Sequence, residues 1–301
     1  MSQECALGRQ RALASFQAQL KIMHDNRDGV SAHEVMPIHD MRVASRRLRM
    51  ALKINREYLP KKARKALNRE LRKITRALGR RRELDVMIAM LRAHRDETHA
   101  LWKRFMDHAI GILEQRQARE ARSCAEATTV LESEAFLAAN ASVVDGLDTR
   151  SGCVLDVARE ELMEAFDFTR EARKWWKRNG DDDDLHEVRI AIKKFRYACE
   201  FHKELFGPPM AEHLARLKEA QGCLGEWNEC RLLEDMVLIL GDAADYQIAQ
   251  GAPLVAEAYG QRADALEIQF KAQGKAQFSL EARKAFERLL NRPVVDCCVT
   301  E

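Results

Sequence analysis

The sequence has little that interrupts a helix. Only 14 Gly and 6 Pro occur in 301 residues, and aromatics make up 6 %. With Ala, Leu, Arg, Lys and Glu dominant, such a composition favours long helices, and no segment reads as a strand. No stretch approaches 18 uninterrupted apolar residues, which excludes a membrane-spanning helix and a membrane partner. The N-terminus MSQECALGRQRALASF lacks the charged, then apolar, then small-residue pattern of a secretory signal, so a cytoplasmic protein is expected. The eight Cys contain no CxxC and no Cys/His set with zinc spacing. Cys5, Cys124, Cys153, Cys199, Cys223 and Cys230 read as reduced thiols on helices, and Cys297 and Cys298 as free thiols in a tail. There is no GxxxxGK[ST] loop for a nucleotide phosphate.

What is abundant is positive charge in one place. Residues 38–82 hold 17 Lys and Arg against Asp40, Glu57 and Glu70, a net +14. The whole chain is only +3, so the rest sums to −11. A basic block in an otherwise acidic chain is the footprint of a polyanion-binding face, because an ordinary solvated surface mixes its signs.

The block contains half of a repeated motif. Residues 38–52 read IHDMRVASRRLRMAL and residues 185–199 read LHEVRIAIKKFRYAC, offset by 147. Each copy is followed by a second matched segment, LRKITRALG ending at Gly79 and LKEAQGCLG ending at Gly225, offset by 146. Two matches in the same order and at nearly one spacing indicate a duplicated helical unit. The expected organisation is a first helical half over 1–140 and a second over 150–301, with the weakly periodic stretch near 135–150 between them.

Leu13, Phe16, Leu20 and Met23 predict an amphipathic helix over about 5–24, ended by Asp25-Asn26-Arg27-Asp28-Gly29. The first motif helix is expected from about Glu34 to Tyr58, stopping at Pro60. The next carries Leu67, Leu71, Ile74 and Leu78 and is expected to end at Gly79, with another starting near Glu83 and a long one over about 98–122. The second half should run as helices over about 154–178, the motif helix up to Gly207-Pro208-Pro209, and then 211–224, 228–240, 252–272 and 279–291. Asp181 to Asp184 lie at the second motif helix's N-terminus, where the helix dipole favours negative charge; consecutive carboxylates diverge too far to read as a metal site. Trp175, Trp176 and Trp227 read as core.

On a helix, spacings of 3,4,3,4 keep residues on one face. His39, Arg42, Arg46, Arg49 and Lys53 share such a face, and Met41, Ser45, Leu48 and Leu52 form an apolar stripe about 100° away. In the second copy His186, Arg189, Lys193 and Arg196 make the cationic row, and Val188, Ile192, Phe195 and Cys199 the apolar one. A further row, Lys62, Lys65, Arg69, Arg72 and Arg76, follows the first copy; its counterpart keeps only Arg216 and Lys218, among Glu212 and Glu219. Like charges at this spacing oppose helix formation, so a ligand is expected to complete the site. Arg dominates the rows, and its planar fork grips two phosphate oxygens at once. His39 and His186, each three residues before an Arg, read as site residues that a polyanion would make easier to protonate.

HDMRVASRRLR and HEVRIAIKKFR, followed by LGRRRELD and LGEWNECR, resemble the conserved histidine α-helical domain, the CHAD family, over nearly the whole chain. The resemblance implies an all-α fold of two pseudo-twofold-related halves, each like a four-helix bundle, with a basic groove or central pore. It implies binding of inorganic polyphosphate and association with polyphosphate granules. By motif position it assigns His39, Arg42, Arg46, Arg47, Arg49, Arg76, His186, Arg189, Lys193, Lys194 and Arg196. Charge geometry adds Lys53, Lys65, Arg69, Arg72, Lys73, Arg80 and Lys218. Where relatives often carry Asp, this chain has Glu83 and Glu229, read as residues of helix starts or helix–helix contacts. About 30 residues precede the first motif, so the triphosphate-processing tunnel domain of the CYTH type found in many relatives is expected to be absent.

The expected function is therefore non-catalytic polyphosphate binding, with no metal and no cofactor. The basic rows hold neither an acidic cluster nor an activated nucleophile for hydrolysis. The alternative is a general polyanion, RNA or DNA binder. Only Tyr58, Phe195 and Tyr197 lie near the rows, too few for extensive base stacking, so specific nucleic-acid binding is not expected. Homo-oligomerisation is left open.

Overall fold

A computed structural model describes residues 3–56, 59–95, 100–146 and 154–293; Tyr58, Cys153, Cys297 and Cys298 lie outside them. Among the described residues every regular element is a helix, so the chain is all-α. The helices are α1 (Gln3–Asp25), α2 (Arg27–Ser31), α3 (Val35–Ile54), α4 (Lys61–Arg95), α5 (Ala100–Arg119), α6 (Ala121–Glu132), α7 (Glu134–Asp145), α8 (Val154–Asn179), α9 (Asp182–Phe206), α10 (Pro208–Asp242), α11 (Tyr246–Ala249), α12 (Ala252–Gln277) and α13 (Leu280–Leu290).

The apolar stripes become core where the periodicity placed them. Phe16 and Met23 of α1 are buried, as are Met41, Ser45, Leu48 and Leu52 of α3. Ser45 Oγ, polar in that stripe, is satisfied by Thr75 Oγ1 at 3.0 Å and the Arg42 carbonyl at 2.9 Å. In α9, Val188, Ile192, Phe195 and Cys199 are buried. Trp176 and Trp227 are core, but Trp175 is 58 % exposed, one helical step out of phase with its neighbour.

Three boundaries differ from expectation. The first motif helix stops at Ile54, where the Asn55 side chain donates to the Ala51 carbonyl at 2.8 Å. The weakly periodic middle is helical as far as Asp145: α6 and α7 pack on α4, and Ser133 Oγ caps α7 by accepting from the Phe136 amide at 3.2 Å. Gly79 ends nothing, because α4 runs unbroken for 35 residues, and α10 runs unbroken for 35 residues through Gly222 and Gly225. A helix-interior Gly costs only about 1 kcal/mol against Ala, which packing on both sides readily offsets.

The false stop at Gly79 has a specific cause. Leu78 and Leu84 are six residues apart, so the apolar stripe rotates by about 240° between them. The first stripe, Leu67, Leu71, Ile74 and Leu78, faces one core with α1, α3, α6 and α7. The second, Leu84, Met87, Ile88 and Leu91, faces another core with α5, α8, α9, α10, α12 and α13. Thus residues 84–91 and 105–113 pack with the second motif copy although they follow the first in sequence. The switch is filled by Arg81, 7 % exposed. Its Nε donates to Asp85 Oδ1 at 2.9 Å, and its other nitrogens donate to the carbonyls of His33 (3.2 Å) and Gln117 (3.4 Å). Gln117 also donates to Asp85 Oδ1 at 2.6 Å.

The aspartates before α9 serve different partners. Asp181 Oδ1 accepts from the Asp183 amide at 2.8 Å, Asp182 pairs with Arg231 at 3.0 Å, and Asp184 accepts from Asn179 Nδ2 at 2.9 Å. Capping and helix-dipole compensation account for their position.

Candidate functional site

Helices α3 and α9 pack against each other with their cationic rows on the same side, beside the first turns of α4. Between them lies an open cleft of ≈ 470 Å³. Its cationic lining is Arg46, Arg49 and Lys53 from α3, Arg64 and Lys65 from α4, and Lys193 and Lys194 from α9, with Tyr197 and Asn68; no carboxylate lines it.

The charges here strain one another. Burial and then the neighbouring Arg46 pull the Arg42 guanidinium down to about 10, with Glu83 opposing. Burial lowers Arg49, and so do Arg72, Arg46 and Arg76, which places α4's row within electrostatic reach of α3. Burial lowers Arg189, Glu229 opposing and Arg46 reinforcing. Lys193 is affected most: burial, then Arg46, Arg189 and Arg42, lower its ammonium to about 7, so it gives up its proton far more readily than an ordinary lysine. His39 is lowered by burial and then by Arg82. Among the described residues Arg42, Arg46, Arg72, Arg76, Arg82, Arg189 and Lys193 have neither a hydrogen-bond acceptor nor an ion-pair partner, and Arg42 Nε is also shut off from water. Cations so arranged are held apart by the fold and stabilised by an arriving anion.

The expected residues do not all belong to this cluster. Arg49 Nε donates to Asn68 Oδ1 at 3.1 Å but still faces the cleft. In the row of α4, Lys65, Arg72 and Arg76 are exposed and unpaired among the described residues. Arg69 and Lys73 hold the buried Glu70 at 3.1 and 2.7 Å, and Arg80 lies 3.9 Å from Glu120. Arg196 leaves its row: it is 8 % exposed, pairs with Glu200, donates to Gln221 Oε1 at 2.6 Å and stacks over the Tyr197 ring at 4.6 Å. Glu200 also draws Arg47, at 3.7 Å across the α3–α9 contact. Arg47 and Lys218 border a separate cavity of ≈ 360 Å³ that includes Glu200. Lys194 stands over Phe168 at 5.7 Å. His186 Nδ1 donates to Asn228 Oδ1 at 2.7 Å.

Two cations were missed by the row pattern. Arg64 lines the cleft, its Nε buried without a partner. Arg82 faces His39, Arg42 and Glu229. Both lie one step off the 3,4,3,4 row, and the visible signal was only the density of basic residues around them. Glu83 and Glu229 are not at helix starts. They sit inside α4 and α10 and supply negative potential at Arg42 and Arg189, and burial raises Glu229.

The repeated His-acid-x-Arg signature and this helix arrangement agree with a family-model match to the CHAD domain over residues 14–238. The chain belongs to the CHAD family. Two solved structures share the fold of this CHAD protein. The CHAD domain from the plant Ricinus communis matches with TM-score 0.63 at 21 % identity, covering 95 % of this chain and 93 % of that one. PptA from Streptomyces chartreusis matches with TM-score 0.67 at 14 % identity, covering 89 % and 99 %. No curated protein matches the chain by sequence. The family match ends within α10, so α11, α12 and α13 of this CHAD protein lie beyond it. Among the described residues no helix is long and apolar enough to cross a membrane.

Proposed function

We propose that this CHAD protein binds inorganic polyphosphate and does not turn it over. The observation that carries the reading is the cleft between α3 and α9, lined by seven Lys and Arg and by no carboxylate. A polyphosphate chain offers repeated, closely spaced negative charges with no base or sugar. Successive phosphates engage Arg46, Arg49 and Lys193 in the cleft and then Arg72 and Arg76 along α4. Each bound unit raises the effective concentration of the next. The fork of each Arg can take two oxygens of one phosphate. Binding recharges Lys193 and, through Arg82 and Arg42, eases protonation of His39. Family membership supports the same ligand, and with it a cytoplasmic protein at polyphosphate granules.

Nucleic acid fits less well. Tyr197 is the single aromatic of the cleft, and the Arg196 guanidinium occupies one face of its ring, at 4.6 Å. Base stacking therefore has at most one aromatic face, where single-strand binders offer several. Metal-assisted hydrolysis would need acids to hold the ion, and no carboxylate lines the cleft.

The test compares long-chain polyphosphate with single-stranded RNA at equal phosphate and near-physiological salt, using the wild type and a variant with Arg42, Arg46, Arg49 and Arg189 changed to Ala. Wild type should prefer polyphosphate, lose affinity steeply as salt rises, and release no phosphate. The variant should bind at least about a hundredfold more weakly, since each lost charge-assisted contact is worth about 1 kcal/mol or more. Equal binding of both polymers would reduce the function to general polyanion binding. Unchanged binding by the variant would move the site to another face.

A further inference from the structure

The cationic row of α9 differs from that of α3 at one of its four matched positions. His39, Arg42 and Arg49 recur as His186, Arg189 and Arg196, but Arg46 is answered by Lys193. The exchange keeps a cation and changes its chemistry. A guanidinium stays protonated and is no nucleophile, whereas an ammonium that loses its proton becomes a reactive amine. Lys193 is half-buried and lines the open cleft. Its Nζ has no hydrogen-bond or ion-pair partner among the described residues, yet water reaches it, unlike the buried Nε of Arg42 and of Arg64. A small solute can therefore approach the amine.

All three helices that form the cleft present cations to this amine. Arg42 and Arg46 come from α3, Arg189 and Lys194 from α9, and Arg64 and Lys65 of α4 line the same cleft. Glu83 and Glu229 act on Arg42 and Arg189 instead. Partial burial beside other cations is how a lysine is made nucleophilic, and it lowers this ammonium to about 7. The same cations select the electrophile. A neutral acyl donor has nothing to hold it here, and a bare inorganic anion has no carbon for the amine to attack. An acyl phosphate meets both demands: the forks of Arg46 and Arg189 take its phosphoryl oxygens and stabilise the charge that grows on the phosphate as it departs. A phosphorylated aldehyde would be held as well, but its phosphate takes no part in the bond change. We propose that Lys193 is an acylation site for small acyl phosphates. The Lys193 nitrogen attacks the carbonyl carbon, and the bond from that carbon to the phosphate oxygen breaks with its electron pair going to the oxygen. The amide forms, inorganic phosphate leaves, and the nitrogen's proton passes to water. The acylation itself is independent of polyphosphate; its consequence, a cleft with one cation fewer and a weaker hold on polyphosphate, rests on that reading.

The test incubates the full chain with acetyl phosphate near neutral pH, without polyphosphate, and follows each lysine by mass spectrometry. Lys193 should be acetylated at least about tenfold faster than its exposed neighbour Lys194 and than Lys284, an exposed lysine of α13. Excess inorganic phosphate should slow the reaction at Lys193 and leave Lys284 unchanged. With acetic anhydride, a neutral donor, phosphate should not slow Lys193. Acetyl phosphate treatment should weaken polyphosphate binding several-fold in the wild type and much less in Lys193→Arg, which has no amine at this position. Acetylation of Lys193 no faster than that of Lys284 would overturn the proposal. So would a rate at Lys193 that phosphate does not slow. Fast, phosphate-sensitive acetylation with unchanged polyphosphate affinity would uphold the acylation site and move polyphosphate to another face.

Discussion

The two motif copies place similar helices in different electrostatic settings. At the offsets that align them, the first copy carries Lys53, Arg69, Arg72, Lys73, Arg76 and Arg80, and the second carries Glu200, Ala215, Lys218, Glu219, Gly222 and Glu226. In the first copy Arg49 faces the cleft. Its counterpart Arg196 is drawn into a buried pair by Glu200, the residue that replaces Lys53. His39 faces Arg82, whereas His186 donates to Asn228, the residue aligned with Arg82. Arg81 builds a buried ion pair with Asp85; its counterpart Trp227 is packed core. The difference teaches that a repeated helix can keep its frame while one copy gathers unpaired cations and the other pairs them or replaces them with packed side chains. In the cleft the second copy contributes Lys193 and Lys194, and the segment of the first copy contributes Arg46, Arg49, Lys53, Arg64 and Lys65.

The largest effect that would break this contrast is on stability. Arg81→Ala leaves Asp85 buried and unpaired and should lower the unfolding free energy by about 3–5 kcal/mol. Trp227→Ala should cost a similar amount, about 3–5 kcal/mol, through a cavity instead of a charge. The two separate in the rescue: Arg81→Met with Asp85→Leu should recover most of the loss in chemical denaturation. A double variant as unstable as Arg81→Ala would mean that the contacts to His33 and Gln117, not the ion pair, hold the switch in α4.

A smaller effect contrasts Lys193 with its counterpart Arg46. Raising the pH through about 7 discharges Lys193, so polyphosphate affinity should fall several-fold between pH 6 and 8.5, and Lys193→Arg should flatten that profile. In the free protein the sign is opposite for stability. Between about 7 and 10.5 the unfolded chain holds a proton at this residue that the folded one lacks, so stability should rise with pH across that window. A pH profile identical in the two proteins would remove Lys193 from the cleft's chemistry.

The smallest effect concerns the matched glycines. A Cβ at Gly79 or Gly225 would meet no atom within 4 Å, and neither residue has positive φ. Gly→Ala at each should therefore stabilise its helix by about 0.5–1 kcal/mol, raising Tm by about 1–2 °C. Unequal gains would show that the copies differ in strain at this point as well as in charge.

Much of this was legible from spacing. The amphipathic stripes of α1, α3 and α9 and the cationic face from Arg42 to Lys53 follow from a period of 3.6 applied to residues that packing later respects. The break inferred at Gly79 was not: a 240° rotation of an apolar stripe reads as two helices until a second core is seen to receive the rotated face. Arg196 and Lys193 are three residues apart in one row, yet one is paired inside and the other faces the cleft. That outcome depends on Glu200 and Gln221, which helix phase does not weigh.

The sequence by itself determined that the chain is helical, that its motif occurs twice, and that its positive charge is concentrated, because helix propensity, periodicity and local charge are properties of residues near one another along the chain. Only the tertiary structure decided which cations stay unpaired and how far burial shifts them. Those depend on carboxylates, carbonyls and apolar walls brought from distant segments, as His33, Gln117 and Asp85 are brought to Arg81.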